Sequence, residues 1–176
     1  VEELIAQCAQ GDRKAQYALY QQYAPAMMGV CLRMLGRPDE AEDALQEAFV
    51  KAFRSLAGFK GASTFGAWLK RIVVNQCLNQ LRARRAWLVE WNEQAAEALP
   101  EAEPAALPAL QVPDVQRAIQ ALPDGFRTVL SLYLVEGYDH QEIAEILGIS
   151  EATSKSQYSR AKARLRDLLR AAAPAH

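Results

Sequence analysis

Three prolines at four-residue spacing, Pro100, Pro104 and Pro108, divide this 176-residue chain into two parts. Each proline lacks a backbone N–H and clashes with the preceding turn, so no continuous helix runs through residues 86–111. That stretch also holds eight alanines, five glutamates (Glu90, Glu93, Glu97, Glu101 and Glu103) and no basic residue. It reads as an acidic, semi-extended linker, with helix expected only near Trp87 to Ala98. The folded cores must therefore form on either side of it. With 51% hydrophobic and 23% charged residues, the chain is too apolar to be disordered. It has no apolar run long enough to span a bilayer, and membrane insertion is not expected.

Residues 1–85 read as helices. Leu4, Ile5 and Cys8 form a short apolar face ending at Gly11, and Asp12 suits a cap for the next helix. Pro25 is expected to open a separate segment carrying Met27, Met28, Val30, Cys31, Met34 and Leu35, which Gly36-Arg37-Pro38 ends. Asp39 stands three residues before Glu42, a capping-box-like start. The helix from about residue 40 to 56 turns Ala41, Leu45, Ala48, Phe49, Ala52 and Phe53 to one side and leaves Asp43, Gln46, Glu47 and Lys51 off it. Gly58 and Gly61 bracket a loop, and Ser63 is the expected cap of a long helix to about Arg85. That helix has an apolar side (Phe65, Trp68, Leu69, Ile72, Val73, Cys77) and a second stripe of Arg71, Asn75, Leu78 and Arg82. Guanidiniums and an amide in one row suit phosphate and base contacts. Phe59, with Lys60 beside it, could stack on an unpaired base or sit in the core, whereas Trp68 is expected in the core.

Residues 112–172 are helical again. Helices are expected after Pro113-Asp114, from Phe126 to Val135, and from Gln141 to Leu147 with Asp139 as cap. Gly148 then turns the chain and Ser150 caps a final helix to about Arg170. A short helix, a glycine turn and a serine cap form a helix-turn-helix. Ser154, Tyr158, Ala161, Leu165 and Leu168 recur at helical spacing and are expected to face inward, with Ser154 bonded back to a main-chain carbonyl. Glu151, Lys155, Ser156, Ser159, Arg160 and Lys162 then face outward, the leading ones toward base edges; Arg160, Lys162 and Arg164 suit phosphates.

A formal net charge of −1 hides a sharp partition. Asp39 to Glu47 contains five acids and no base; Lys60 to Arg85 contains six bases and no acid; Lys155 to Arg170 contains six bases against Asp167 alone. Two basic stretches and one acidic one fit two contacts with an anion and one with a basic partner, or solvated helix faces. Cys8, Cys31 and Cys77 are too scattered for a zinc site or a disulfide framework and read as buried thiols of a cytoplasmic protein. Val1-Glu2-Glu3 lacks the layout of a signal peptide, and the absent initiator Met leaves the native start expected elsewhere. With only His140 and His176, no phosphate-cradling glycine loop and no nucleophile–base pair, no enzyme, cofactor or metal site is expected.

Taken together, the two halves resemble a sigma factor of the extracytoplasmic-function (ECF) type of the sigma-70 family. The likeness rests on Asp39-Glu40-Ala41-Glu42-Asp43-Ala44-Leu45-Gln46-Glu47-Ala48-Phe49, on Phe59-Lys60-Gly61, and on the run from Phe65 to Asn75. In the second half it rests on Leu122-Pro123 and the run from Ile143 to Thr153. The resemblance implies an all-α fold: a sigma2-like bundle over residues 1–90, an acidic linker over 91–111 and a sigma4-like domain over 112–172. It implies that Asp39, Glu42, Asp43, Gln46 and Glu47 dock on the coiled coil of the largest subunit of core RNA polymerase, with the flap as a further contact. Phe59, Lys60, Ser63, Trp68 and Asn75 would belong to a pocket for an everted minus-ten base, with Arg71 and Arg82 on nearby backbone. Glu151, Thr153, Lys155, Ser156, Ser159, Arg160 and Arg164 would serve the duplex minus-thirty-five element. An anti-sigma factor is a further partner the resemblance raises. Gln157 stands where arginine is frequent in the family, and Ser154 where valine is frequent. The competing reading is a two-domain helix-turn-helix regulator that works without polymerase core.

Overall fold

The computed structural model describes residues 2–84 and 111–172. The acidic segment, the helix expected near Trp87 to Ala98 and the expected helix end at Arg85 lie outside the described residues. The fold is all-α: eight helices and one short 3-10 turn, with no strand among the described residues. The chain divides into two compact units, Val1–Leu81 and Arg82–His176.

The first unit is built from α1 (Glu2–Ala9), α2 (Arg13–Leu35), α3 (Pro38–Ser55), the turn Leu56–Gly58 and α4 (Phe65–Ala83). Asp12 caps α2 as expected, its carboxylate accepting from the N–H groups of Lys14 and Ala15. Pro25 does not open a new segment, because α2 runs straight through it. An interior proline costs about 3 kcal/mol in an isolated helix. Here Leu19, Ala24, Met27, Val30, Cys31 and Met34 are buried on both sides of Pro25. A continuous buried face offsets the missing hydrogen bond. Gly36 then ends α2, its N–H donating to the Leu32 carbonyl at 2.9 Å.

The start of α3 also differs from expectation. Arg37 is the N-cap residue and makes no side-chain cap; Pro38 opens the helix and Asp39 lies in its first turn. Proline's fixed φ suits the first helical position, and an acid one residue later favours the positive end of the helix. Likewise, Thr64 rather than Ser63 caps α4: the Ala67 N–H donates to Thr64 Oγ1 at 3.2 Å. Both residues are competent caps. The choice follows from Phe65, which is 5% exposed and must start the buried stripe. Leu19, Met34, Leu35, Leu69, Val73, Val74, Leu78 and Leu81 form the innermost layer of this unit. Leu78 therefore belongs to the core and not to the polar stripe of α4.

The second unit holds α5 (Val112–Gln120), α6 (Asp124–Leu134), α7 (His140–Leu147) and α8 (Glu151–Ala172). The helix α6 begins at Asp124, with Gly125 inside it. Helices α5, α6 and α7 all pack on α8. Leu122, Leu130 and Ala161 form a buried cluster against which Ile119, Phe126, Tyr158, Leu165 and Leu168 pack. Arg127 is buried, yet its guanidinium donates to the carbonyls of Gln120 and Leu122 and pairs with Asp124. Its guanidinium thus ties the α5–α6 turn to α6, and these carbonyl and carboxylate partners offset the cost of burying its charge.

Candidate functional surfaces

On α3 the spacing of three and four residues sorts acids from alanines. Ala41, Ala44, Leu45, Ala48, Phe49 and Ala52 are buried. Asp39, Glu42, Asp43, Gln46 and Glu47 are all exposed and follow one another along the opposite face. Two neighbours add to what the sequence suggested. Gln76 of α4 donates from its amide to the Glu47 carboxylate. Val50, one turn beyond Gln46 and Glu47, is 48% exposed and places an apolar patch at the end of the acidic row. Glu40 points away from that row and pairs with Arg37 at 2.8 Å. An open groove of about 550 Å³ runs alongside, lined by Tyr20, Pro25, Met28, Glu42, Leu45 and Gln46.

The second surface lies on the loop and first turns of α4. Phe59 and Trp68, both half-buried, meet with ring centroids 5.2 Å apart, and each packs on buried Phe65. Tyr23 of α2 closes the cluster, edge-on to Phe65 at 5.1 Å. Phe59 is thus neither core nor free, and Trp68, expected in the core, keeps part of its ring in solvent. Lys60, Ser63 and Asn75 are exposed. Arg71 is half-buried and Arg82 exposed, so Trp68, Arg71, Asn75 and Arg82 share one side of α4.

The third surface is α7, its turn and α8. Asp139 and Glu142 form a reciprocal capping box, with both hydrogen bonds at 2.8 Å. Gly148 ends α7 at φ 69°, the left-handed region, and the Ile149 N–H reaches back to the Ala144 carbonyl. Ser150 caps α8 by accepting from the Thr153 N–H at 3.0 Å, and its hydroxyl also bonds that of Thr153. The Thr153 hydroxyl is thus engaged in the cap. Ser156 donates its hydroxyl to the Thr153 carbonyl. Glu151 and Lys155 are exposed and form an ion pair at 2.6 Å. Ser159 and Arg160 are half-buried and Arg164 exposed. Lys162 lies over the Tyr158 ring at 4.8 Å, its charge on the outer edge of the core.

Ser154 behaves differently from the expectation of a back-bond. It is fully buried, and its hydroxyl meets His140 Nδ1 of α7 at 2.8 Å. The imidazole stacks on Tyr133 at 4.5 Å and stands edge-on to Tyr158. Burial, and then the charge of Lys155, hold the His140 pKa below its ordinary value. Gln157 is also buried, at 5% exposure, and so faces the core. The His140–Ser154 bond has no local signature in the residue order, since it depends on the crossing of two helices.

All three thiols are buried. The fold brings together Cys31 and Cys77, which the sequence kept far apart: their thiols hydrogen-bond, and that bond, with burial, pushes Cys77 far up from the usual thiol range. Among the described residues no cluster of three or more His, Cys, Asp or Glu side chains could hold a metal ion. No described helix is long and apolar enough to cross a membrane.

A helix-turn-helix with a basic second helix, set in an all-α chain of two units, defines a class of helical DNA-binding proteins. Residues 19–87 match the family Sigma-70 region 2, and residues 114–165 match Sigma-70, region 4. Over 172 residues the chain is 32% identical to the RNA polymerase sigma-H factor of Pseudomonas aeruginosa, with 92% of this chain and 89% of that protein covered. It is 34% identical over 170 residues to the ECF RNA polymerase sigma factor SigM of Mycobacterium tuberculosis, covering 95% and 83%. Among solved structures it is similar to the sigma factor RpoE in complex with the anti-sigma factor NepR from Bartonella quintana, at TM-score 0.60 and 27% identity, over 89% of this chain and 98% of that one. CnrH in complex with the cytosolic domain of CnrY matches at TM-score 0.58 and 28% identity, over 97% of each chain. The chain belongs to the extracytoplasmic-function group of the sigma-70 family of RNA polymerase sigma factors, initiation factors that direct the polymerase in transcription.

Proposed function

We propose that this chain recruits core RNA polymerase through α3, opens the minus-ten element with the loop and exposed side of α4, and reads the minus-thirty-five element as duplex with α8. The observation that carries the reading is the row Asp39, Glu42, Asp43, Gln46 and Glu47, held in solvent by a helix whose opposite face is buried. Such a row complements a basic coiled coil of the largest subunit, and the flap is the expected contact of the second unit. Phe59 and Trp68 offer ring faces beside Lys60, Ser63 and Asn75, the chemistry needed to hold an everted base. Stacking there offsets the few kcal/mol, roughly, lost on unstacking that base. Arg71 and Arg82 take backbone. In the second unit Glu151, Thr153, Lys155, Ser156, Ser159 and Arg160 lead toward base edges while Arg164 neutralises phosphate.

In this division residues 1–90 dock and melt, 91–111 form the linker within the polymerase, and 112–172 read duplex. The chain works in the cytoplasm, where core polymerase is found. An anti-sigma factor is a further partner, supported by the complex in which the Bartonella quintana relative was solved.

The test is binding of the full chain to core polymerase. Asp43→Ala with Glu47→Ala weakens core association and leaves the helical circular-dichroism signal intact; unchanged affinity defeats the docking assignment. Lys155→Ala or Arg160→Ala lowers duplex binding while core association is kept. A regulator that works without polymerase would bind its duplex yet give no promoter-dependent transcript with purified core.

A further inference from the structure

We infer that Glu151 is a specificity-determining residue of the duplex-reading helix: its carboxylate, neutralised by Lys155, selects a base whose exocyclic amine points into the major groove, cytosine above all. The inference rests on the proposed reading of duplex by α8.

Glu151 is the first residue of α8 and Lys155 stands one turn on, with Oε1 and Nζ 2.6 Å apart and both side chains more than half exposed. The rest of the helix is strongly basic: Lys155, Arg160, Lys162, Arg164, Arg166 and Arg170, with Asp167 the one other acid. Asp167 lies near the far end, whereas Glu151 sits at the leading end, where a helix entering a groove meets base edges first. A lone carboxylate there would be repelled by the phosphates. Lys155 removes that cost and leaves a neutral pair that presents one acceptor beside one donor.

The neighbouring hydroxyls sharpen the role. Those of Ser150 and Thr153 bond to each other within the cap, and Ser156 donates to the Thr153 carbonyl. Glu151 is thus the strong acceptor of the leading turn. In the major groove a G·C pair shows guanine O6 and N7 acceptors next to the cytosine N4 donor. Lys155 fits the former and Glu151 the latter. The inverted pair would set O6 against the carboxylate, and thymine would set O4 there. Guanine and thymine are therefore rejected by repulsion as well as by a missing bond.

The experiment uses holoenzyme assembled from the full chain and core polymerase, bound to a promoter library randomised through the minus-thirty-five element. Wild type, Glu151→Gln, Glu151→Ala and Lys155→Ala are compared at fixed salt. Wild type is expected to favour cytosine over guanine by about tenfold at one position. Glu151→Ala flattens that position alone, and Glu151→Gln moves it toward adenine, whose N6 and N7 suit a carboxamide. A Glu151→Ala profile unchanged at every position, with binding merely stronger or weaker across all sequences, overturns the inference: the acid would then act only on phosphate repulsion or on the helix dipole. Failure of the underlying reading looks different, since wild type would show no base preference anywhere in the element and Lys155→Ala would leave duplex binding unchanged. That result overturns both.

Discussion

Replacing Gly148 by alanine isolates one backbone term at the turn between α7 and α8. Gly148 sits at φ 69°, and a Cβ built on it meets nothing within 4 Å. There is no steric contribution, so the cost is conformational. An L-residue in the left-handed region loses roughly 1–2 kcal/mol. Alanine also reduces the freedom of the unfolded chain, which returns about 0.4–1 kcal/mol. The net effect of Gly148→Ala is a destabilisation of roughly 0–1.6 kcal/mol, a rise of up to about 15-fold in the open population of the α7–α8 segment. Hydrogen exchange read by mass spectrometry over residues 140–160 measures this directly, because the Ile149 N–H to Ala144 bond closes across the turn. Gly58→Ala is the matched control. Gly58 also has open space around it but lacks a positive φ, so alanine there stabilises by about 0.4–1 kcal/mol. Slower exchange in Gly148→Ala would refute the reasoning, as would a loss above about 3 kcal/mol, which would require a packing contact.

Three further outcomes are expected. Thr64→Ala costs about 1 kcal/mol in urea unfolding because it removes the Thr64 Oγ1 bond to the Ala67 N–H, whereas Ser63→Ala, whose hydroxyl reaches only the Thr64 carbonyl at 3.4 Å, stays within about 0.5 kcal/mol of wild type. The folded-state pKa of His140 is depressed, so the unfolded chain takes up the proton first. Stability of the second unit is therefore full above the unfolded value of about 6.5 and falls as pH drops through it toward the folded value. In His140→Gln that loss disappears, as thermal melts on the acid side of neutrality will show. Cys31 and Cys77 are fully buried and should react with an aromatic disulfide reagent only at the rate of unfolding; fast labelling in native buffer would contradict their packing.

Much of the candidate surface was legible because it depends on helical period alone. The acid row of α3 follows from the three- and four-residue spacing between Asp39 and Glu47, with alanines and Phe49 opposite. The turn after α7 was equally readable, since Asp139, Gly148 and Ser150 each have one local role and the structure gives each that role. The differences have a common physical source. A proline such as Pro25 favours a break locally, yet the helix continues because its buried neighbours outweigh one missing bond. Ser63 and Thr64 were locally equivalent, and the burial of Phe65 decided between them. Leu78 keeps the spacing of the polar stripe but lies where the core is.

The chain by itself determined its described helices, their amphipathic faces and the helix-turn-helix. All of these arise from interactions within about one turn, where chemistry and separation are both written in the residue order. Only the tertiary structure decided that His140 holds buried Ser154, that Gln76 supports Glu47, that Phe59 leans on Trp68 and that Cys31 meets Cys77. These pairs join separate elements, and their meeting depends on how helices cross and which side chains fill the space between them.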